Sequence, residues 1–237
     1  MVTLYAFGPR YDAPDLSPPC MKVHTLLRMA GLKYELNTNG FSKAPKGKLP
    51  FLDDDGTLVA DSTFIRWHIE QKYGVDFDAG LDAVQRGDAW VYEKLCEDHL
   101  YFALLHSRWI NEANFRAGPA KLFDFVPAPV RPLVRTIIRR DIRKSLHGQG
   151  TGRHSPAEID RLAIRGIDAI AAKLGDKPWL MGDAPCAADA SVHATLTGIL
   201  CPLFSTPIRD AAERHPSLVA YRDRGLARWY PEFKPAV

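Results

Sequence analysis

Residues 1–31, MVTLYAFGPRYDAPDLSPPCMKVHTLLRMAG, decide how the fold is read. Leu4-Tyr5-Ala6-Phe7 reads as a strand, a polar loop follows, and Ser17-Pro18-Pro19-Cys20 opens an amphipathic helix. Behind that start Val23, Leu26, Leu27 and Ala30 recur at i, i+3, i+4 and i+7, an apolar stripe that stops at Gly31. A hydroxyl and a thiol therefore stand at the N-terminus of a helix with a buried face, where amides and the helix dipole favour an anion such as a thiolate. Pro18 and Pro19 supply no N–H, so the first available helix amides belong to Cys20 and Met21. That shortage gives the Ser17 hydroxyl more weight as a donor.

Outward from this stretch, Tyr34-Glu35-Leu36 reads as a second strand and Lys43-Ala44-Pro45-Lys46-Gly47-Lys48 as a basic loop. Leu49-Pro50-Phe51-Leu52-Asp53 and Thr57-Leu58-Val59-Ala60 flank Asp54-Asp55-Gly56, a hairpin signal because Asp-Gly tolerates the tight turn between apolar runs. Asp61-Ser62 caps a helix whose Phe64, Ile65, His68, Ile69 and Tyr73 share a face and which ends at Gly74. The order is β-α-β, then β-β-α. From Leu81 onward the chain reads as helical: a periodic stretch over 84–111, then a start at Ser155-Pro156-Ala157-Glu158, with serine at the cap, proline at N1 and glutamate at N3. Cys186-Ala187-Ala188-Asp189 reads as another entry, with Asp189 placed to satisfy its amides. Residues 74–81 mark the boundary, giving expected domains of 1–76 and 77–237.

The 237-residue chain is 46% apolar and 25% charged, an ordinary globular composition. A formal charge of +3 is too small a surplus for a general phosphate-binding surface, so nucleic acid is not expected as a partner. The opening residues carry no secretory pattern and no apolar run is long enough to span a bilayer, which reads as cytoplasmic. Cys20, Cys96, Cys186 and Cys201 lie far apart and show no metal-ligand spacing, so neither a disulfide framework nor a metal is expected. His99 and His106 share a helix face without a third ligand at suitable spacing. One segment, 131–144, sets six basic residues among Leu133, Val134, Ile137, Ile138 and Ile142. Such a helix can touch an anionic membrane, but more often it is a solvated face over a core.

Taken in order, Ser17-Pro-Pro-Cys20, Leu49-Pro50, Asp61-Ser62 and Gly182-Asp183-Ala184-Pro185 leading to Ala188-Asp189 make the chain resemble the cytosolic glutathione transferase superfamily over nearly its whole length. The run 43–74 and Gly152-Arg153-His154-Ser155 are similar to the bacterial branch related to failed-axon-connections and metaxin proteins. The resemblance implies an α/β plus all-α architecture: a thioredoxin-like N-terminal domain with a mixed four-stranded sheet, then an all-helical C-terminal domain. It implies glutathione as co-substrate, a small-molecule electrophile, and a homodimer. Ser17 would contact the glutathione sulfur, with Cys20 and Tyr5 as alternatives; Tyr5 belongs to the first strand, but the insertion over 8–16 makes core packing its expected role. Leu49, before a cis-Pro50, would pair with the cysteinyl backbone of glutathione. Asp61 and Ser62 would take the γ-glutamyl end, and Lys48, with Lys46 beside it, the glycyl carboxylate. Tyr101, His106, Arg108 and Trp109 would line the electrophile pocket. Two other functions fit the same residues: a thiol-disulfide or deglutathionylating enzyme using Cys20, and a non-catalytic metaxin-like adaptor.

Overall fold

In the computed structural model, residues 1–233 are described. Four strands, β1 (Val2–Tyr5), β2 (Tyr34–Asn37), β3 (Phe51–Asp54) and β4 (Thr57–Ala60), form one mixed sheet in the order β2-β1-β3-β4. β1 runs parallel to β2, joined by helix α1 (Pro18–Met29), and antiparallel to β3, which turns back into β4. Helix α2 (Ser62–Tyr73) follows at once. The apolar stripe of α1 does what its spacing requires: Val23, Leu26 and Leu27 are fully buried beside Leu4, Phe51, Leu52, Ile65 and Ile69. The helix ends before Gly31, which takes the left-handed conformation at φ +66.

Every further regular element among the described residues is helical: α3 (Ala83–Lys94), α4 (Tyr101–Trp109), α5 (Glu112–Ala117), α6 (Arg131–Gln149), α7 (Pro156–Leu174), α8 (Ala187–Ile199), α9 (Pro207–Glu213) and α10 (Pro216–Trp229). A π-helical stretch, Leu95–Leu100, joins α3 to α4. The start of α7 carries the reciprocal cap expected of its sequence, with Ser155 N donating to Glu158 Oε2 at 2.8 Å. At α8, where cysteine caps poorly, Asp189 does the work: its carboxylate accepts from Cys186 N at 2.8 Å, Leu180 N at 2.9 Å and the Tyr221 hydroxyl at 2.7 Å.

The sheet-bearing and helical parts meet through α1 and α8, and charge crosses the contact. Lys22 of α1 is only 1% exposed, yet its ammonium reaches Glu93 Oε1 at 2.8 Å and Glu97 Oε1 at 2.5 Å. Arg66 of α2 pairs with the other oxygen of Glu93 at 2.8 Å and also with Asp78 and Glu70. Asp78 in turn accepts from Ala187 N at the start of α8, and Glu97 from Ser191. Burial works against ionised Glu97, but Lys22 and Lys94 hold its carboxyl below the ordinary carboxylate value. This network fixes α1, the helix that carries Ser17, against α3 and α8.

Candidate functional site

The start of α1 is built by its loop. Asp15, 2% exposed, accepts from Gly8 N at 2.7 Å and from Ser17 N at 2.9 Å, so one carboxylate ties both ends of the 8–17 segment together. Ser17 is the residue before the first helical turn, with extended backbone angles, and its hydroxyl makes no cap bond to that turn. An N-cap oxygen accepts from N2 or N3; N2 here is Pro19, which has no N–H, and the N3 amide, that of Cys20, is not taken by the hydroxyl. The Met21 amide is taken by the Ser17 carbonyl at 2.9 Å. Cys20 N–H takes no acceptor among the described residues. Cys20 Sγ is wholly buried beneath this turn; burial and the neighbouring Asp15 push its thiol well above its ordinary value, against weaker opposition from the Ser17 hydroxyl and Phe7 backbone.

Half-buried Ser17 opens on a cavity of about 260 Å³ between the sheet-bearing and helical parts. Phe7, Tyr11, Leu16 and Pro18 line it from the β1–α1 segment, and Phe41, Lys48 and Leu49 from the β2–β3 segment. Tyr101, Leu104, Leu105, Arg108 and Trp109 face it from α4, with Ile142 and Ser145 from α6. The walls are mainly apolar with a few convergent polar groups, the usual character of a small-molecule site.

Leu49 precedes Pro50 through a cis peptide bond, and neither its N–H nor its C=O meets a partner among the described residues. That leaves an edge able to pair with an added strand. Asp61 N donates to Pro50 O at 3.3 Å, which sets the α2 start beside this edge. Asp61 has φ +89, an unusual backbone for a residue with a side chain, and caps α2 by accepting from Thr63 N at 2.9 Å. Ser62 is 7% exposed and its hydroxyl makes no bond within the described residues.

Ser17, Lys48, Leu49, Tyr101, Arg108 and Trp109 thus meet at one cavity; Pro50, Asp61 and Ser62 are not among its lining residues, and Asp61 is tied to Pro50, the residue after Leu49. Tyr5 lies elsewhere: its ring stacks on Phe51 at 4.1 Å, and a Cβ on Gly40 would come within 2.1 Å of it. His106 is not among the lining residues; burial lowers its pKa and the charge of Asp160 raises it. Lys46 sits over the Phe64 ring at 4.2 Å. On α6 the six basic residues divide: Arg131, Arg135 and Arg139 turn inward, and Arg140, Arg143 and Lys144 are exposed. Arg139 donates to the carbonyls of Trp109 and Ile110 and pairs with Glu112, and Arg135 donates to Ala120 O and Asp124. Arg131 donates to the Val126 and Asp124 carbonyls. Among the described residues, no cluster of three or more His, Cys, Asp or Glu is placed to hold a metal ion, and no helix is long and apolar enough to cross a membrane. Tyr11 was missed by sequence reasoning, which treated 8–16 as an insertion.

Comparison with known proteins agrees with this geometry. The family models of the glutathione S-transferase N-terminal and C-terminal domains match residues 18–114 and 163–225. The isoprene-epoxide–glutathione S-transferase of Rhodococcus sp. (strain AD45) is 32% identical over 94% of this chain and 97% of its own length. The chain belongs to the glutathione S-transferase superfamily. Within that superfamily it is also similar to Failed axon connections of Drosophila melanogaster, 29% identical over 98% of this chain and 59% of the relative, and to human metaxin-1, 27% identical over 96% and 51%. The chain spans little more than half the length of those two relatives. In three dimensions this transferase-family chain superposes on a β-etherase from Sphingobium sp. strain SYK-6 with a TM-score of 0.68, at 19% identity and 98% coverage of each chain. That likeness concerns the fold.

Proposed function

We propose that the chain is a glutathione transferase-like enzyme, with residues 1–76 holding glutathione and 77–237 supplying most of the electrophile pocket. The observation that carries this reading is the Ser17 hydroxyl: it lines the cavity and is not engaged in capping its own helix. Its O–H donates to the glutathione sulfur, and Cys20 N–H stands next to it as the one free amide of the turn. Donation to the anion favours the thiolate over the thiol. The thiolate then attacks an electrophilic carbon, forming the S–C bond; the leaving group, or the oxygen of an opened ring, departs with the electron pair, and the thiol proton goes to solvent. Leu49 pairs with the cysteinyl backbone, Ser62 takes the γ-glutamyl carboxylate at the α2 N-terminus, and Lys48 neutralises the glycyl carboxylate. The relative from Rhodococcus, named for an isoprene epoxide, supports a small electrophile.

Burial of Cys20 supports the serine as the sulfur contact over a deglutathionylating cysteine, because a fully buried thiol with a raised pKa offers little thiolate. An exposed aromatic patch, with Phe64 against Trp67 at 5.3 Å and Trp67 stacked on Trp90 at 6.3 Å, supports a homodimer. Calorimetric titration of glutathione into the protein tests the core of this reading. Saturable binding that weakens in Ser62→Ala is expected; absence of binding refutes it.

A further inference from the structure

Arg108 stands on α4 against the cavity and is 6% exposed. A buried cation ordinarily has a carboxylate, as Lys22 and Arg66 do. Arg108 has none within ion-pair reach among the described residues. Its Nη2 donates to Gly198 O at 2.7 Å, its guanidinium lies 4.7 Å from the Phe204 ring centre, and its Nε is buried with no partner. The neighbours that act on its charge are Cys201, Tyr11 and Tyr101, none of them an acid at neutral pH.

Tyr11 supplies a second unmatched group at the same wall. Its hydroxyl is buried without a partner, and its ring lies 5.7 Å from the Arg108 guanidinium carbon. The loop is shaped to put it there. Arg10 and Ala13 exchange backbone hydrogen bonds of 3.1 Å around Tyr11 and Asp12, which sit at φ +54 and +57, a region residues with side chains rarely adopt. Gly118 leaves the room: a Cβ there would stand 2.6 Å from Phe204 and 3.2 Å from Tyr11.

A cation and a hydroxyl, both buried, both with unused donors and both on an apolar cavity, define a site for one oxyanion. We propose that Arg108 and Tyr11 form an anion-binding subsite and that the electrophile is a small apolar molecule bearing a carboxylate. The proposal rests on the cavity being the electrophile pocket. Glutathione's own carboxylates are assigned to Lys48 and Ser62, which come from the β2–β3 segment and α2 and not from α4.

The test is binding of phenylacetate and its neutral counterpart phenylacetamide to the full chain by calorimetry, with and without glutathione. Phenylacetate should bind about 10- to 100-fold more tightly, the range that a charge-assisted hydrogen bond supplies. Arg108→Gln keeps an amide donor for the Gly198 carbonyl and should abolish the preference, while Arg108→Lys keeps part of it and Tyr11→Phe reduces it severalfold. Glutathione affinity should not change in Arg108→Gln. Equal affinity of the wild type for the two probes overturns the proposal without reference to any variant. So does a loss of glutathione affinity in Arg108→Gln as large as the loss for phenylacetate, since Arg108 would then serve glutathione. A wild type that prefers phenylacetate but binds no glutathione supports the subsite and refutes the transferase reading alone.

Discussion

Ser17→Ala separates an oxygen that caps a helix from one that holds a thiolate. A capping hydroxyl lost to alanine costs about 1 kcal/mol of stability. Ser17 makes no cap bond: Pro19 at N2 has no N–H to donate, and the N3 amide of Cys20 is not engaged. The contacts fixing the turn, Ser17 N to Asp15 at 2.9 Å and Met21 N to Ser17 O at 2.9 Å, belong to the backbone and survive the change. The melting temperature should therefore move little. The bound thiol should respond strongly. A hydrogen bond to a charged group contributes about 1.5–3 kcal/mol. At about 1.4 kcal/mol per unit, the glutathione thiol pKa should rise by roughly 1–2 units. If the thiol returns to its ordinary value of about 8.5, the thiolate fraction at about pH 7 and the conjugation rate fall by about 8- to 25-fold, while the glutathione dissociation constant changes far less. The assay is the ultraviolet thiolate band of bound glutathione followed against pH, beside a calorimetric titration at one pH. An unchanged titration curve refutes the role of Ser17. A loss of melting temperature as large as a lost cap, with the thiol pKa unmoved, makes it structural.

Cys20→Ala should keep conjugation activity within about a factor of 2 and cost roughly 1–2 kcal/mol, since it removes a buried sulfur from a packed core; iodoacetamide should label Cys20 only after denaturation, and inactivation of the folded protein through this residue would reverse the assignment. Glu93→Gln should lower stability in urea by about 3 kcal/mol, the low end for breaking a buried ion pair because Lys22 keeps Glu97 and Arg66 keeps Asp78; a loss below about 1 kcal/mol would show that the network carries little. His193 is fully buried, its Nε2–H donates to Arg222 O at 3.0 Å, and burial lowers its pKa to about 4. Its folded value lies below its unfolded value, so the stability it contributes is complete above about pH 6.5 and is lost as pH falls toward 4, on the order of 3 kcal/mol. Denaturant midpoints measured across that window should fall more steeply in the wild type than in His193→Asn, and parallel curves would contradict the assignment.

How far the sequence reveals this molecule depends on whether a residue acts through its neighbours in the chain or across the fold. The β-α-β-β-α order was legible because each signal is local: the stripe of α1, the Asp-Gly hairpin, the caps at Asp61 and Ser155. Ser17, Leu49 and Ser62 stand out as candidates for the same reason, since proline spacing and helix starts leave polar groups without a partner, whereas Asp61 stands out as a cap. The π-helical stretch was not, because periodicity over 84–111 barely changes when one turn widens. Lys22 reads as the polar side of an amphipathic helix; only the docking of α3 and α8 brings Glu93 and Glu97 to it. Tyr11 reads as part of a loop insertion. What would give it the proposed role is a pair of left-handed residues meeting, about a hundred residues on, an absent Cβ at Gly118 and the arginine of α4. The proposed glutathione side of the cavity is therefore written in short motifs, whereas the proposed substrate side is assembled across the fold. On the proposed reading, the buried Arg108 guanidinium, which lacks a carboxylate among the described residues, is the group that would select the substrate.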